Sequence, residues 1–122
     1  MGCKAVSEAS GSAATPAPGG AVPLALVAWG IERPRNLGAM IRICACFGVG
    51  LEVIEPLGFP LSSRELRQRA LDYGRLCAPR RHDDWATFRR SAATLRPVLL
   101  TRRGGRPIWD FAFAPGDALV VG

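Results

Sequence analysis

The chain has 122 residues and a mass of 13.0 kDa, with 16 basic against 10 acidic side chains and a formal net charge of +6. That length holds one domain at most, and no apolar run is long enough to span a bilayer. The first residues also lack the continuous apolar stretch of a signal peptide, so the sequence predicts a soluble, cytoplasmic protein with no membrane partner.

Residues 1–22 are almost wholly Ala, Ser, Gly, Pro and Thr, with Lys4, Glu8 and two Val. Such a segment buries too little apolar surface to offset its ordering entropy and reads as a disordered tail. Leu24–Trp29 has the character of a short buried strand. The block Pro34-Arg35-Asn36-Leu37-Gly38-Ala39-Met40-Ile41-Arg42 then opens a helix. Asn36 is expected to act as N-cap, because its side-chain oxygen can accept from the free N–H groups of the first turn. Pro34 keeps the approach extended, and Gly38 lets another backbone or a phosphate come close. Arg42 stands alone among Ile41, Ile43, Cys44, Ala45 and Phe47. A buried charge without a partner is costly, so Arg42 must find one or point into a cleft. The start of a helix beyond the carboxyl end of a first strand is also where open α/β sheets bind anionic ligands.

Gly48 and Gly50 close that helix, and Leu51–Glu55 predicts a second strand, ended by Pro56 and the turn at Gly58. Ser62 or Ser63 caps a strongly basic helix that runs to about Tyr73 and stops at Gly74, with a short strand expected near Leu76–Pro79. Asp83 or Asp84 caps a third helix with Trp85 and Phe88 on one face. Arg89 and Arg90 lie near its C-terminus, where the helix dipole favours cations. Pro97–Thr101 is a buried strand, Arg102–Arg106 a glycine-containing basic loop, Trp109–Phe113 a short apolar segment, and Ala118–Val121 the last strand. Continuous apolar strands alternating with helices predict an α/β fold, a parallel sheet with helices on both faces.

The charge is unevenly placed. Residues 64–106 carry twelve arginines against Glu65, Asp72, Asp83 and Asp84, a local excess of eight, whereas residues 1–63 are balanced. A concentrated basic excess is the electrostatic footprint of a polyanion binder. No Gly-x-Gly-x-x-Gly lies between a strand and a helix, and there is no Walker A sequence, which argues against nucleotide cofactors of those kinds. His82, the one histidine, sits beside Arg80, Arg81 and Asp83 and reads as an exposed capping or surface residue. Cys3, Cys44, Cys46 and Cys77 have no metal-ligand spacing and read as small buried hydrophobes, so no metal site is expected.

The block Pro34-x-Asn36-x-Gly38-x-x-x-Arg42 resembles the first motif of the SpoU/TrmH class of SPOUT RNA methyltransferases. Val53-Ile54-Glu55-Pro56-Leu57-Gly58-Phe59, Leu66–Tyr73, Arg81-His82, Leu99-Leu100-Thr101 and Val120-Val121-Gly122 follow in family order and spacing. The Glu-Pro-x-Gly-Phe and Leu-Asp-Tyr pieces are most similar to the TrmL-like branch, which methylates the wobble nucleotide of tRNA. The resemblance implies an α/β-knot fold, S-adenosyl-L-methionine as methyl donor, methylation of a ribose 2′-hydroxyl, and a homodimer in the intact family. It gives Arg42 the target nucleotide and Asn36 the geometry of that site, and it gives Leu100, Thr101 and Gly122 the cofactor. Arg33, Arg35, Arg64, Arg67, Arg69, Arg80 and Arg81 are the expected RNA contacts, with mere exposure as the alternative reading of Arg33 and Arg35. The second motif of the family would begin at Gly122. Residues 23–122 are therefore read as the N-terminal two thirds of a methyltransferase domain, without the knot segment and inactive by themselves. The alternatives are a non-catalytic RNA-binding remnant of that family and an unrelated small α/β binding module.

Overall fold

The structure is a computed structural model that describes residues 4–7, 24–70, 73 and 75–122. The strands are β1 (Lys4–Ser7), β2 (Leu24–Trp29), β3 (Gly50–Ile54), β4 (Arg80–His82), β5 (Arg96–Thr101), β6 (Arg106–Pro107) and β7 (Asp117–Val121). The helices are α1 (Pro34–Phe47), α2 (Arg64–Ala70) and α3 (Trp85–Ser91). All strands join one sheet in the order β4-β3-β2-β7-β5-β1-β6. The five strands from β4 to β5 are parallel to their neighbours, as the alternation of apolar strands and helices predicts.

The period-two pattern of the strands divides the core between two faces. Leu26 and Ala28 of β2 with Leu51 and Val53 of β3 meet α1 and α2 through Leu37, Ile41, Cys44, Leu66 and Ala70. Ala25 and Val27 of β2, Ile54 of β3, and Ala118 and Val120 of β7 meet α3 through Phe88 and Ala92. Helices therefore cover both faces of the sheet.

Several expectations are corrected. Lys4–Ser7, assigned to a disordered tail, pairs antiparallel with both β5 and β6. Composition weighs only side-chain burial, whereas the edge of β5 offers a row of backbone donors and acceptors that even a polar segment can satisfy. The rest of residues 1–22 lies outside the described residues. The strand expected at Leu76–Pro79 instead occupies Arg80–His82, where pairing with β3 sets Glu52 opposite Arg80 and Ile54 opposite His82. That register brings Arg80 and the His82 ring to the Glu52 carboxylate and Arg81 to that of Glu55. Asn36 is not the N-cap of α1. Arg33 holds that position without a side-chain bond and Pro34 takes the first helical position, where its preset φ and missing N–H cost nothing. His82 is buried, not exposed: its Nε2 lies 3.2 Å from Glu52 Oε2, and its ring meets Phe88 edge-on at 5.3 Å.

The other helix signals hold. Gly48 ends α1 at φ 67°, and its N–H bonds the Cys44 carbonyl. Ser63 Oγ accepts from the N–H of Leu66 at the start of α2, and Asp84 Oδ1 accepts from the N–H of Thr87 at the start of α3, at 2.7 Å. Cys44 and Cys77 are buried together as expected, whereas Cys46, also read as buried, is exposed, because two residues along α1 turn it away from the face that carries Cys44. Burial pushes the Cys44 thiol up to about 12, and its neighbour Cys77 adds to the rise.

Two contacts fix the geometry. A Cβ placed on Gly38 of α1 would stand 2.5 Å from Arg69 Cβ and 3.0 Å from the Arg69 carbonyl carbon, so α1 and α2 approach at a distance only glycine allows. At the opposite end of the sheet, Asp117 is 1% exposed and takes two bonds from Arg96, Nε to Oδ1 at 2.7 Å and Nη2 to Oδ2 at 2.8 Å. The Ala114 N–H also donates to Asp117 at 2.8 Å, and Arg96 lies over the Phe111 ring. Burial alone would raise the Asp117 carboxyl. The Arg96 bonds, the Ala114 N–H and the Arg96 charge outweigh burial and hold it below the ordinary carboxylate range.

Gly38→Ala is expected to destabilise the chain by about 1–3 kcal/mol, the usual cost of overpacking, as read by urea denaturation. Asp117→Asn leaves Arg96 without its anion and is expected to cost about 3 kcal/mol at pH 7. The native Asp117 pKa lies below its unfolded value, so this stabilisation is complete above an unfolded pKa of about 3.9 and fades as pH falls through the native value. The gap between parent and variant should therefore close as the denaturation series is taken below about pH 4.

Candidate functional site

The carboxyl ends of the parallel strands form one edge; of the residues singled out in the sequence, Leu100, Thr101 and Gly122 lie at it, others lie on α1 and α2, and Arg80 and Arg81 lie apart on β4. β2 ends at Trp29, and the segment Gly30–Arg33 carries the chain to α1. The Gly58 N–H bonds the Ile31 carbonyl at 3.0 Å, and a Cβ on Gly58 would stand 2.5 Å from the Glu32 carbonyl oxygen. The turn after β3 thus holds the loop before α1 in place through close backbone contact.

Arg42 is half-buried on α1, and its Nη1 donates to the Arg69 carbonyl in the last turn of α2. The charge expected to need a partner has found the negative end of a helix. A guanidinium carries five N–H donors, and this bond uses one of them. Gly38, one turn earlier on the same face, packs against the same turn of α2. Asn36 is exposed in the first turn of α1. Six residues separate it from Arg42, which turns the two side chains about 120° apart around the helix, so α1 does not bring them together.

The strand ends do converge. Leu99 of β5 is level with Val120 of β7 in parallel register, which carries Leu100 and Thr101 along the same edge as Val121 and Gly122. Thr101 Oγ1 accepts from the Arg103 N–H at 3.1 Å and shapes the loop that leaves β5. On its other side, β5 pairs with β1, with Thr101 opposite Lys4. A Cβ on Gly122 would collide with the Trp29 carbonyl oxygen, so β7 ends in close contact with the end of β2.

The basic residues fall into two groups. Arg33, Arg35, Arg64, Arg67 and Arg69 are exposed on α1 and α2 and have no ion pair among the described residues. Arg80 and Arg81 lie on β4, at the far edge of the sheet, and are engaged with acids. Arg80 is 3.5 Å from Glu52, and Arg81 is 2.5 Å from Glu55 and 2.7 Å from Asp83. Glu55 and Asp83 hold the Arg81 guanidinium above even its ordinary high value.

Sequence reasoning assigned no site role to three features. Arg102, Arg103 and Arg106 are exposed just beyond Thr101, and their signal was the Arg-Arg-Gly-Gly-Arg run after a strand. Glu52 and His82 make a buried polar pair that alternation along β3 could have revealed. Trp29 continues the inward series Ala25, Val27 and stacks on Trp85, with centroids 4.6 Å apart. Among the described residues, no group of three or more His, Cys, Asp and Glu could hold a metal ion, and no helix is long and apolar enough to cross a membrane.

Comparison with known proteins agrees with this fold. Residues 23–122 match the SpoU rRNA Methylase family. A tRNA (cytidine(34)-2′-O)-methyltransferase of Beijerinckia indica is 42% identical over 91 residues, which are 73% of this chain and 57% of that protein. The protein of the same name from Burkholderia ambifaria is 43% identical over 93 residues, 75% of this chain and 60% of the relative. A solved structure described as giving structural insights into the 2-OH methylation of C/U34 on tRNA superposes with a TM-score of 0.74 at 35% identity, over 80% of this chain and 64% of that one. The chain thus spans about 57–60% of the length of these curated relatives. With the matched region covering all but the first residues, the chain belongs to the SpoU rRNA methylase family.

Proposed function

We infer that this chain is the part of a tRNA ribose 2′-O-methyltransferase that presents the target nucleotide and one side of the methyl-donor pocket. The observation that carries this reading is the setting of Arg42, a cation on α1 fixed against the last turn of α2 by the Arg69 carbonyl. A ribose hydroxyl is a poor nucleophile near neutral pH. A protein can supply a positioned cation to favour its deprotonated form and to steady the adjoining phosphate, together with alignment for attack. Arg42 fills that role, Asn36 supports the loop that approaches it, and exposed Arg33, Arg35, Arg64, Arg67 and Arg69 bind the RNA backbone. Arg80 and Arg81 contribute less, because Glu52, Glu55 and Asp83 already offset their charge.

S-adenosyl-L-methionine would be held by backbone N–H and C=O groups at Leu100, Thr101 and Gly122. The convergence of the β5 and β7 ends suits a ligand gripped by main chain. Bound there, it would supply an electrophilic sulfonium methyl group to the ribose oxygen, leaving as the neutral thioether while the hydroxyl proton is lost to water. The relatives named above act at cytidine 34 of tRNA by their names, and the same nucleotide is the substrate proposed here, with a cytoplasmic location and a homodimeric assembly as part of the same reading.

The decisive variant is Arg42→Lys, made in this chain joined to the C-terminal portion of a relative. Lysine can still donate to the Arg69 carbonyl, so folding is expected to persist, but it lacks the planar fork. Methyl transfer to tRNA should fall about 100- to 1000-fold in kcat, the scale seen when one preorganised donor is removed. An equal loss of folding by circular dichroism would make Arg42 structural.

RNA affinity is tested apart from chemistry. Binding of a single-stranded oligoribonucleotide should weaken with salt at a log–log slope of roughly −0.7 per phosphate contact. Replacing Arg64, Arg67 and Arg69 together by Gln should make that slope about 2 units shallower. A slope that does not change would return these side chains to ordinary surface.

A further inference from the structure

At the carboxyl edge of the sheet, three aromatic rings form a ladder. Phe88 is wholly buried, Trp85 leans on it with centroids 5.5 Å apart, and Trp29 stacks on Trp85 at 4.6 Å with 22° between the planes. The ladder starts in the core beneath α3 and ends at Trp29, which is 41% exposed. Closing the end of a core needs only an aliphatic side chain, whereas here the outermost rung leaves a large aromatic surface in water. Gly30, next along the chain, adds no side chain here, and a Cβ on it would meet no atom within 4 Å.

Exposed charge lies near this rung along the chain and along the sheet edge. Exposed Arg33 and Arg35 follow within six residues of Trp29. In the other direction, β7 and then β5 lie next to β2, which puts Thr101 and the loop of Arg102, Arg103 and Arg106 about 10 Å along the edge. An open aromatic face between two groups of exposed arginines is complementary to a base with a phosphate on either side.

We propose that Trp29, backed by Trp85, is a stacking platform for an unpaired nucleobase of the bound RNA, with Arg33 and Arg35 on one side and the Arg102–Arg106 loop on the other taking the adjoining phosphates. This rests on the RNA-binding part of the function proposed above and adds a base-contacting site to it. The platform reads the π-face common to all bases, so it holds the strand without selecting its sequence.

The test is a pair of fluorescence titrations of the purified chain. One uses a short single-stranded oligoribonucleotide, and the other uses an abasic strand of equal length and charge. Stacking predicts quenching of tryptophan emission by the first and an affinity about tenfold to a hundredfold above the second, the range for one stacked base. Trp29→Leu should remove that difference while leaving the salt slope unchanged, and Trp29→Phe should restore part of it. Equal affinity for the two strands with a normal salt slope would overturn the platform and leave phosphate binding standing. Absence of binding to both strands would overturn the platform and the RNA-binding reading together. Because the abasic comparison uses the unmodified chain, it decides the matter even where a Trp29 variant folds poorly.

Discussion

The arrangement depends on one contact, the first two turns of α1 against the last turn of α2. Gly38 has no side chain, so the Arg69 backbone comes close enough for Arg42 to reach its carbonyl. A larger residue at 38 would push α2 outward, remove the partner of Arg42, and carry Arg64, Arg67 and Arg69 away from α1. Helix packing, the placement of a cation and the placement of a basic face are therefore one structural fact. A second glycine contact, Gly58 on Glu32, does the same for the loop that enters α1. The entry to α1 is held from both ends by main chain, which restricts motion more tightly than side-chain packing would.

How far the sequence was legible follows from what each signal measures. The parallel strands could be read because both faces of β2 and β7 are largely buried, so Leu24–Trp29 and Ala118–Val121 are continuous apolar runs. The caps at Ser63 and Asp84 could be read because they are local side-chain chemistry. Asn36 misled for the same reason: a good capping side chain stood three residues inside a helix whose start was set by Pro34. β1 could not be read, because its pairing partners lie about a hundred residues away and the segment itself carries no apolar pattern. The burial of His82 was hidden too, since its neighbours Arg81 and Asp83 are exposed and only pairing with β3 turns its ring inward.

The candidate site drew on two kinds of signal. Arg42 stood out as a lone charge in an apolar helix, whereas Thr101 and Gly122 were singled out only by the family resemblance. That Asn36 faces away from Arg42 is a matter of helical phase, which a motif does not state. Gly38 was expected to admit a backbone or a phosphate, and the structure fills the space with the backbone of α2, which makes its role one of packing.

The charge excess shows most clearly how structure divides what composition adds together. Of the arginines between 64 and 106, Arg80, Arg81 and Arg96 are matched by Glu52, Glu55, Asp83 and Asp117, and Arg89 is spent on the Leu95 carbonyl. Those cations fasten β4 to β3, close the loop before β7 and finish α3. Arg80, Arg81 and Arg96 add little to the field seen by an approaching polyanion, because an adjacent carboxylate cancels most of it beyond a Debye length. The field belongs to the arginines without an ion pair among the described residues, which include Arg64, Arg67 and Arg69 on α2 and Arg102, Arg103 and Arg106 after Thr101. The first group is tied to Arg42 through α2, and the second begins two residues beyond Leu100. A polyanion drawn to either group is thereby brought to the edge that holds the carboxyl ends of β2, β7 and β5.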